Sequence, residues 1–294
     1  MKYSILHGFA RFVLLVCLAW GARAGERPVV FVSVPPQAWL VKRLAGEAVE
    51  VQTLLTAGAN PHTFEPSGRQ VKKLSGAALY LTLGMPFEMA LAGRAGSLSP
   101  SLKVVGMDAG IAKIAASAHD HGHEDAGHVC GVGGDPHIWL SPRLMCAMAS
   151  NTVAALAQAL PQQRAALAEK LQAAVSEIAA VDAEVRGKLG SLRMRTWVVY
   201  HPSWNYFAED YGLTLLVIEQ DGKAPSAKHL VGVIGQARAA GAQVVCAEPQ
   251  YDKRPAQTLA EQLGARLVTL DPLQEDWPAL MRDVAEKLAG GDVR

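Results

Sequence analysis

Short runs of apolar residues recur along the chain and alternate with longer segments of three- and four-residue spacing, which predicts strands alternating with helices and parallel sheets. In the first half the strand candidates are PVVFVSV (28–34), VEVQTLL (49–55), ALYLTLG (78–84) and KVVGM (103–107). In the second half they are TWVVYH (196–201), LTLLVIE (213–219), AQVVCAE (242–248) and RLVTLD (266–271). Four fall on each side of the middle. The expected fold is therefore α/β, with two lobes that each carry a four-stranded, mainly parallel sheet flanked by helices.

Residues 161–189 separate the halves and place Leu167, Leu171, Ala174, Ile178, Val181, Val185 and Leu189 at helical spacings. This predicts one amphipathic helix, with Pro161 in its first turn and Gly190 at its end. At about 1.5 Å per residue it runs roughly 40 Å, enough to join two lobes rigidly and limit their swing. The expected layout is an export signal over 1–24, an N-terminal lobe over 25–159, the linking helix over 160–190 and a C-terminal lobe over 191–294.

Composition adds the location of the work. Half of the 294 residues are hydrophobic, sufficient for two cores. The first two dozen residues combine Lys2 and Arg11 with the apolar run FVLLVCLAW and the small residues Ala22 and Ala24, the pattern of a cleaved secretory signal. Val16 before Cys17 argues against a lipid anchor. Loss of Lys2, Arg11 and Arg23 takes the net charge from +1 to −2, so no nucleic-acid partner is expected. Cys130, Cys146 and Cys246 remain, which allows at most one disulfide, its pairing open; Cys246, in a strand-like run, reads as a small buried hydrophobe.

Nine histidines supply the candidate chemistry. His7 leaves with the signal, and His229 reads as a surface residue in the first turn of a helix capped by Ser226. His62 in GANPHTFEPS, His137 in GGDPHIWLSP and His201 in VVYHPSWNYF each follow a predicted strand and touch a proline in sequence. Ligands of open α/β sheets bind beyond the carboxyl ends of strands, and proline fixes the local backbone. Each histidine alone is a hydrogen-bonded loop residue. Three at comparable points point to a shared site. Asp271, in LVTLDPL, is by itself a strand-ending turn residue, but with three imidazoles it completes a tetrahedral nitrogen and oxygen set suited to zinc. Two ligands would then come from each half.

The segment 115–136 has no periodicity and contains HDHGHEDAGHVC (119–130). His119, His121, His123 and His128, with Asp120, Glu124, Asp125 and Cys130 nearby, can bind zinc, but glycines and missing apolar anchors leave them without preorganisation. The segment reads as an auxiliary collector or zinc sensor, the alternative being a solvated tether.

GANPHTFEPS, DPHIWLSP, YHPSWNYFAEDYGL, CAEPQY and LDPL occur in an order that resembles the metal receptors of high-affinity zinc ABC importers, solute-binding proteins of the cluster A-I type. The likeness spans about 25–294. It implies that His62, His137 and His201 ligate Zn2+, that Asp271 matches the family's C-terminal carboxylate, and that the protein works in the periplasm as a monomer beside an inner-membrane ABC permease. It leaves room for a periplasmic metallochaperone as metal donor. The manganese branch of that family usually carries Glu where His201 stands, and the His-rich segment is typical of the zinc branch. Some members have a disulfide in the second lobe, for which this chain lacks the second cysteine. Two alternatives remain open. One is a manganese or iron receptor of the same fold. The other is a zinc hydrolase using Glu65 or Glu248 as base, against which stand the missing His-Glu-x-x-His, the missing nucleophile motif and the missing charge near the histidines. No enzymatic activity is expected.

Overall fold

The structure is a computed structural model that describes residues 27–56, 58–91, 99–115, 133–220 and 222–290. The expected export signal, the four histidines of segment 119–128 and Cys130 lie outside these residues.

All eight expected strands form: β1 (Val29–Val32), β2 (Glu50–Thr53), β3 (Leu79–Thr82), β4 (Lys103–Gly106), β5 (Thr196–Val199), β6 (Thr214–Val217), β7 (Val244–Ala247) and β8 (Arg266–Thr269). They make two parallel sheets with the same order, β2-β1-β3-β4 and β6-β5-β7-β8. Each strand is four residues, shorter than its apolar run, because the run continues past the last ladder pair into the turn that leads to the site.

The linking helix runs Arg164–Leu189, entered through a 3-10 turn at Pro161–Gln163. Its buried residues are Leu167, Ala174, Ile178, Val181, Val185 and Leu189, the apolar stripe read from sequence, with Leu171 partly buried beside them. The stripe packs against helices Pro142–Ala159, Trp277–Ala289 and Pro35–Ala45. The first and last of these belong to the N-terminal lobe and the middle one to the C-terminal lobe.

Strand alternation partitions the C-terminal core. Trp197, Val199, Val244 and Cys246 face the large core that also holds the linking helix and the whole N-terminal sheet, while Val198, Val245 and Ala247 face a smaller cluster under helices Ala227–Ala239 and Arg254–Leu263. The lobes thus share one continuous apolar core. Two tryptophans tie its rim: Trp139 donates through Nε1 to the Pro272 carbonyl at 2.7 Å, and Trp277 donates to the Trp139 carbonyl at 2.7 Å. Trp39 also meets Trp277 with ring centroids 5.5 Å apart. No described helix is long and apolar enough to cross a membrane.

Candidate metal centre

Three histidines from both lobes converge at the carboxyl ends of the sheets. His62 follows β2, His137 follows β4 and opens a 3-10 turn, and His201 follows β5. These are three different strand positions, so the repeat does not place them equivalently. In the second sheet the residues that follow β6 and β8 are Glu219 and Asp271 instead.

Local chain chemistry explains how they are held. Asn60-Pro61-His62 and Asp135-Pro136-His137 are the same device: the Asx side chain accepts the backbone N–H of the histidine two residues on, at 2.8 Å and 2.9 Å. Proline sets the intervening dihedral, and the turn aims the imidazole. His201 uses the other arrangement, an extended backbone at φ −113 and ψ 146 imposed by Pro202 after it.

The imidazoles form a tight group. Ring centroids of His62 and His201 are 4.6 Å apart, His137 and His201 5.3 Å, and His62 and His137 5.7 Å. One nitrogen from each lies within 4.8 Å of the others. Tetrahedral zinc with Zn–N near 2.0–2.1 Å holds its nitrogens about 3.3 Å apart, so a small contraction suffices. Among the described residues this is the group of His, Cys, Asp or Glu side chains with that geometry.

Two buried carboxylates orient the rings. Asp135 Oδ1 lies 2.6 Å from His137 Nδ1, and Glu219 Oε1 lies 2.8 Å from His201 Nδ1. The Asp135 hydrogen bond leaves His137 Nε2 as the donor toward the centre. Both ring nitrogens of His201 are buried without a hydrogen-bond partner among the described residues, so Glu219 stands beside Nδ1 at ion-pair distance and not in hydrogen-bond geometry. An imidazole backed by a carboxylate has a fixed tautomer and a more basic metal-facing nitrogen. Burial and the neighbouring His137 push His201 well below its ordinary value of 6.5, against a smaller opposing pull from Asp135. His201 is therefore neutral and ready to ligate. Burial raises the Asp135 carboxyl, but His137 and the hydrogen bonds from His137 and Asn205 together outweigh it and hold the group below 3.8. The absence of charge near the histidines, inferred from sequence, is thus corrected. Asp135 stands two residues before His137 and Glu219 at the end of an apolar run, and these were the available signals; only Glu219 comes from a different element than the histidine it meets.

Tyr251 stacks on His201 at 5.3 Å and on Tyr200 at 4.8 Å, which walls one side of the centre. Glu248, considered as a base, is buried and accepts hydrogen bonds from Ser203 Oγ (3.1 Å) and Trp204 Nε1 (3.3 Å); burial pushes its carboxyl up to about 8. Glu65 is exposed.

Asp271 does not join the three-histidine group. Its Oδ1 accepts the Gln250 amide at 2.7 Å and the Leu273 N–H at 3.0 Å. Asp271-Pro272-Leu273 is thus a third copy of the Asx-Pro turn, with leucine at the position that carries His62 and His137. His229 has the expected cap, its N–H bonded to Ser226 Oγ at 3.2 Å, but it is half-buried, not a surface residue, with Nε2 3.3 Å from the Val217 carbonyl. Cys246 is fully buried in β7, and both Cys146 and Cys246 are free thiols.

The family described as zinc-uptake complex component A, periplasmic (ZnuA) matches residues 30–291. A crystal structure of ZnuA superposes with a TM-score of 0.82 and 31% identity, covering 91% of this chain and 100% of that one. A ZnuA deletion variant with zinc bound gives 0.82 and 31%, covering 92% and 99%. The zinc-binding protein AdcA of Streptococcus pyogenes serotype M3 is 26% identical over 248 residues, 79% of this chain and 48% of AdcA. The chain spans about half the length of most of the curated relatives it matches.

Proposed function

The chain belongs to the family of periplasmic zinc-uptake complex component A proteins, and from that premise we propose that it is the extracytoplasmic receptor of a zinc ABC importer. It captures Zn2+ between its lobes and hands it to an inner-membrane permease. The observation that carries this reading is the group of His62, His137 and His201, contributed by both lobes and gathered at one point. Zinc is cargo here. Three imidazoles are a borderline-soft, nitrogen-rich donor set, which favours zinc over manganese. The fourth position falls to water or to the Asp271 carboxylate, whose Oδ1 is held by the Gln250 amide and the Leu273 N–H.

Receptor function rather than hydrolysis fits the surroundings. Glu248 is held by Ser203 and Trp204, and the other carboxylates at the centre are engaged in orienting imidazoles. Because the ligands straddle the lobes, parting the lobes takes His201 away from the other two, and a permease that opens the receptor thereby lowers its affinity. Export through a cleaved signal and work as a monomer complete the proposal.

Calorimetric titration of the metal-free protein with zinc tests it. The expected result is one tight equivalent that survives deletion of 119–128 and disappears in His137→Ala. Tight binding retained by His137→Ala would refute the site. Ester or phosphoester turnover by the zinc-loaded protein, lost in His201→Ala, would refute the receptor reading.

A further inference from the structure

Asp135 divides its carboxylate between the lobes. Oδ1 serves His137, at Nδ1 and at the backbone N–H, whereas Oδ2 accepts the Asn205 Nδ2 amide at 3.0 Å. Asn205 opens the helix Asn205–Tyr211 of the C-terminal lobe. Its neighbour Tyr206 donates its hydroxyl to the Asp135 carbonyl at 2.8 Å and accepts the Ile114 N–H at 3.0 Å. Ile114 in turn accepts the Asp135 N–H at 2.9 Å, and Gly134, at φ 117, lets the two backbones approach: a Cβ there would stand 2.7 Å from the Ile114 carbonyl oxygen. Asp135 is 4% exposed and Tyr206 2%. The stretch His201–Tyr206 therefore supplies one imidazole, a clamp on the carboxylate that orients another (Asn205) and a clamp on the backbone carbonyl of the same residue (Tyr206).

Resting on the reading that the three histidines hold zinc, we propose that Asn205 and Tyr206 are positioning residues forming a latch through which docking of the C-terminal lobe sets the orientation and donor strength of His137. A buried carboxylate with both oxygens bonded has one rotamer. With Oδ2 released, it can turn toward solvent and leave the His137 ring without its fixed tautomer. Lobe opening then weakens zinc twice, by withdrawing His201 and by loosening His137. By linkage, zinc tightens the latch as much as the latch tightens zinc.

The test is zinc dissociation from the loaded full-length protein into excess chelator, followed by stopped flow. Asn205→Ala is expected to speed dissociation about tenfold or more, the usual scale for a group that orients a metal ligand. In an Asp135→Asn background the same substitution is expected to add nothing, because the latch has no carboxylate to hold; a merely structural role for Asn205 gives additive losses in both backgrounds. Should Asn205→Ala not fold, Asn205→Ser, which draws the side chain back from Asp135 Oδ2, is read the same way. Unchanged dissociation in a folded variant, or additivity with Asp135→Asn, overturns the latch alone. A wild-type protein that holds no zinc equivalent overturns the receptor reading beneath it.

Discussion

At the residue scale two of the three proposed ligands, His137 and His201, are restrained at both backbone and ring. His137 is fixed by an Asx-Pro turn on its backbone and by Asp135 on its ring; His201 is fixed by Pro202 and by Glu219. Glu219→Gln keeps the shape and removes the charge, and it is expected to weaken zinc by about 10–100-fold without loss of stoichiometry, measured by chelator competition. Glu248 gives a separate signature. Its carboxyl stands near 8 in the fold against an ordinary 4.5, so the folded protein retains a proton that the unfolded chain releases between those values. Stability from this group is complete below about pH 4.5 and falls as pH rises through about 8. Urea denaturation of metal-free protein is expected to show Glu248→Gln gaining on wild type from pH 5 to pH 9. A constant difference would mean that Glu248 is ionised in the fold.

At the element scale the linking helix is the member whose packing holds both lobes. Ile178 is fully buried where that helix meets the others. Ile178→Ala is expected to cost about 2–5 kcal/mol by denaturant unfolding, as buried aliphatic truncations do. A loss well under 1 kcal/mol would show that the stripe is not a shared core. These elements were legible in the sequence because each signal is local: eight apolar runs mark eight strands, and the 3.6-residue stripe from Leu167 to Leu189 marks the helix. The three histidines were legible for the same reason, since each carries its proline beside it. Glu219, Tyr251 and Asn205 were not, because Glu219 and Tyr251 reach His201 only when neighbouring elements of the C-terminal lobe meet and Asn205 reaches Asp135 only across the lobes, and no local spacing encodes that; Asp135, two residues before His137, was within reach of the sequence. Asp271 shows the converse hazard. Its Asp-Pro signal serves a turn and an expected fourth ligand alike, and the structure gives its Oδ1 to the turn and to Gln250.

At the scale of the whole molecule, two sheets of identical order face their carboxyl ends toward one point, and a continuous core keeps them there. Metal binding and lobe docking are then one equilibrium. Acid opposes both: imidazoles must be neutral to ligate, so zinc affinity is expected to fall as pH drops below the ordinary histidine value of about 6.5. His201, depressed by burial, resists its own protonation, and the stability that its neutral burial preserves above pH 6.5 is lost as pH falls below it. Affinity unchanged at pH 5 would exclude a three-imidazole site. The most direct measurement is an anomalous difference map at the zinc edge, from crystals of the protein lacking 119–128 loaded with one equivalent of zinc. The expected result is a single peak about 2.0–2.1 Å from one nitrogen each of His62, His137 and His201. A peak ligated from one lobe only, or no peak between the lobes, would contradict the account.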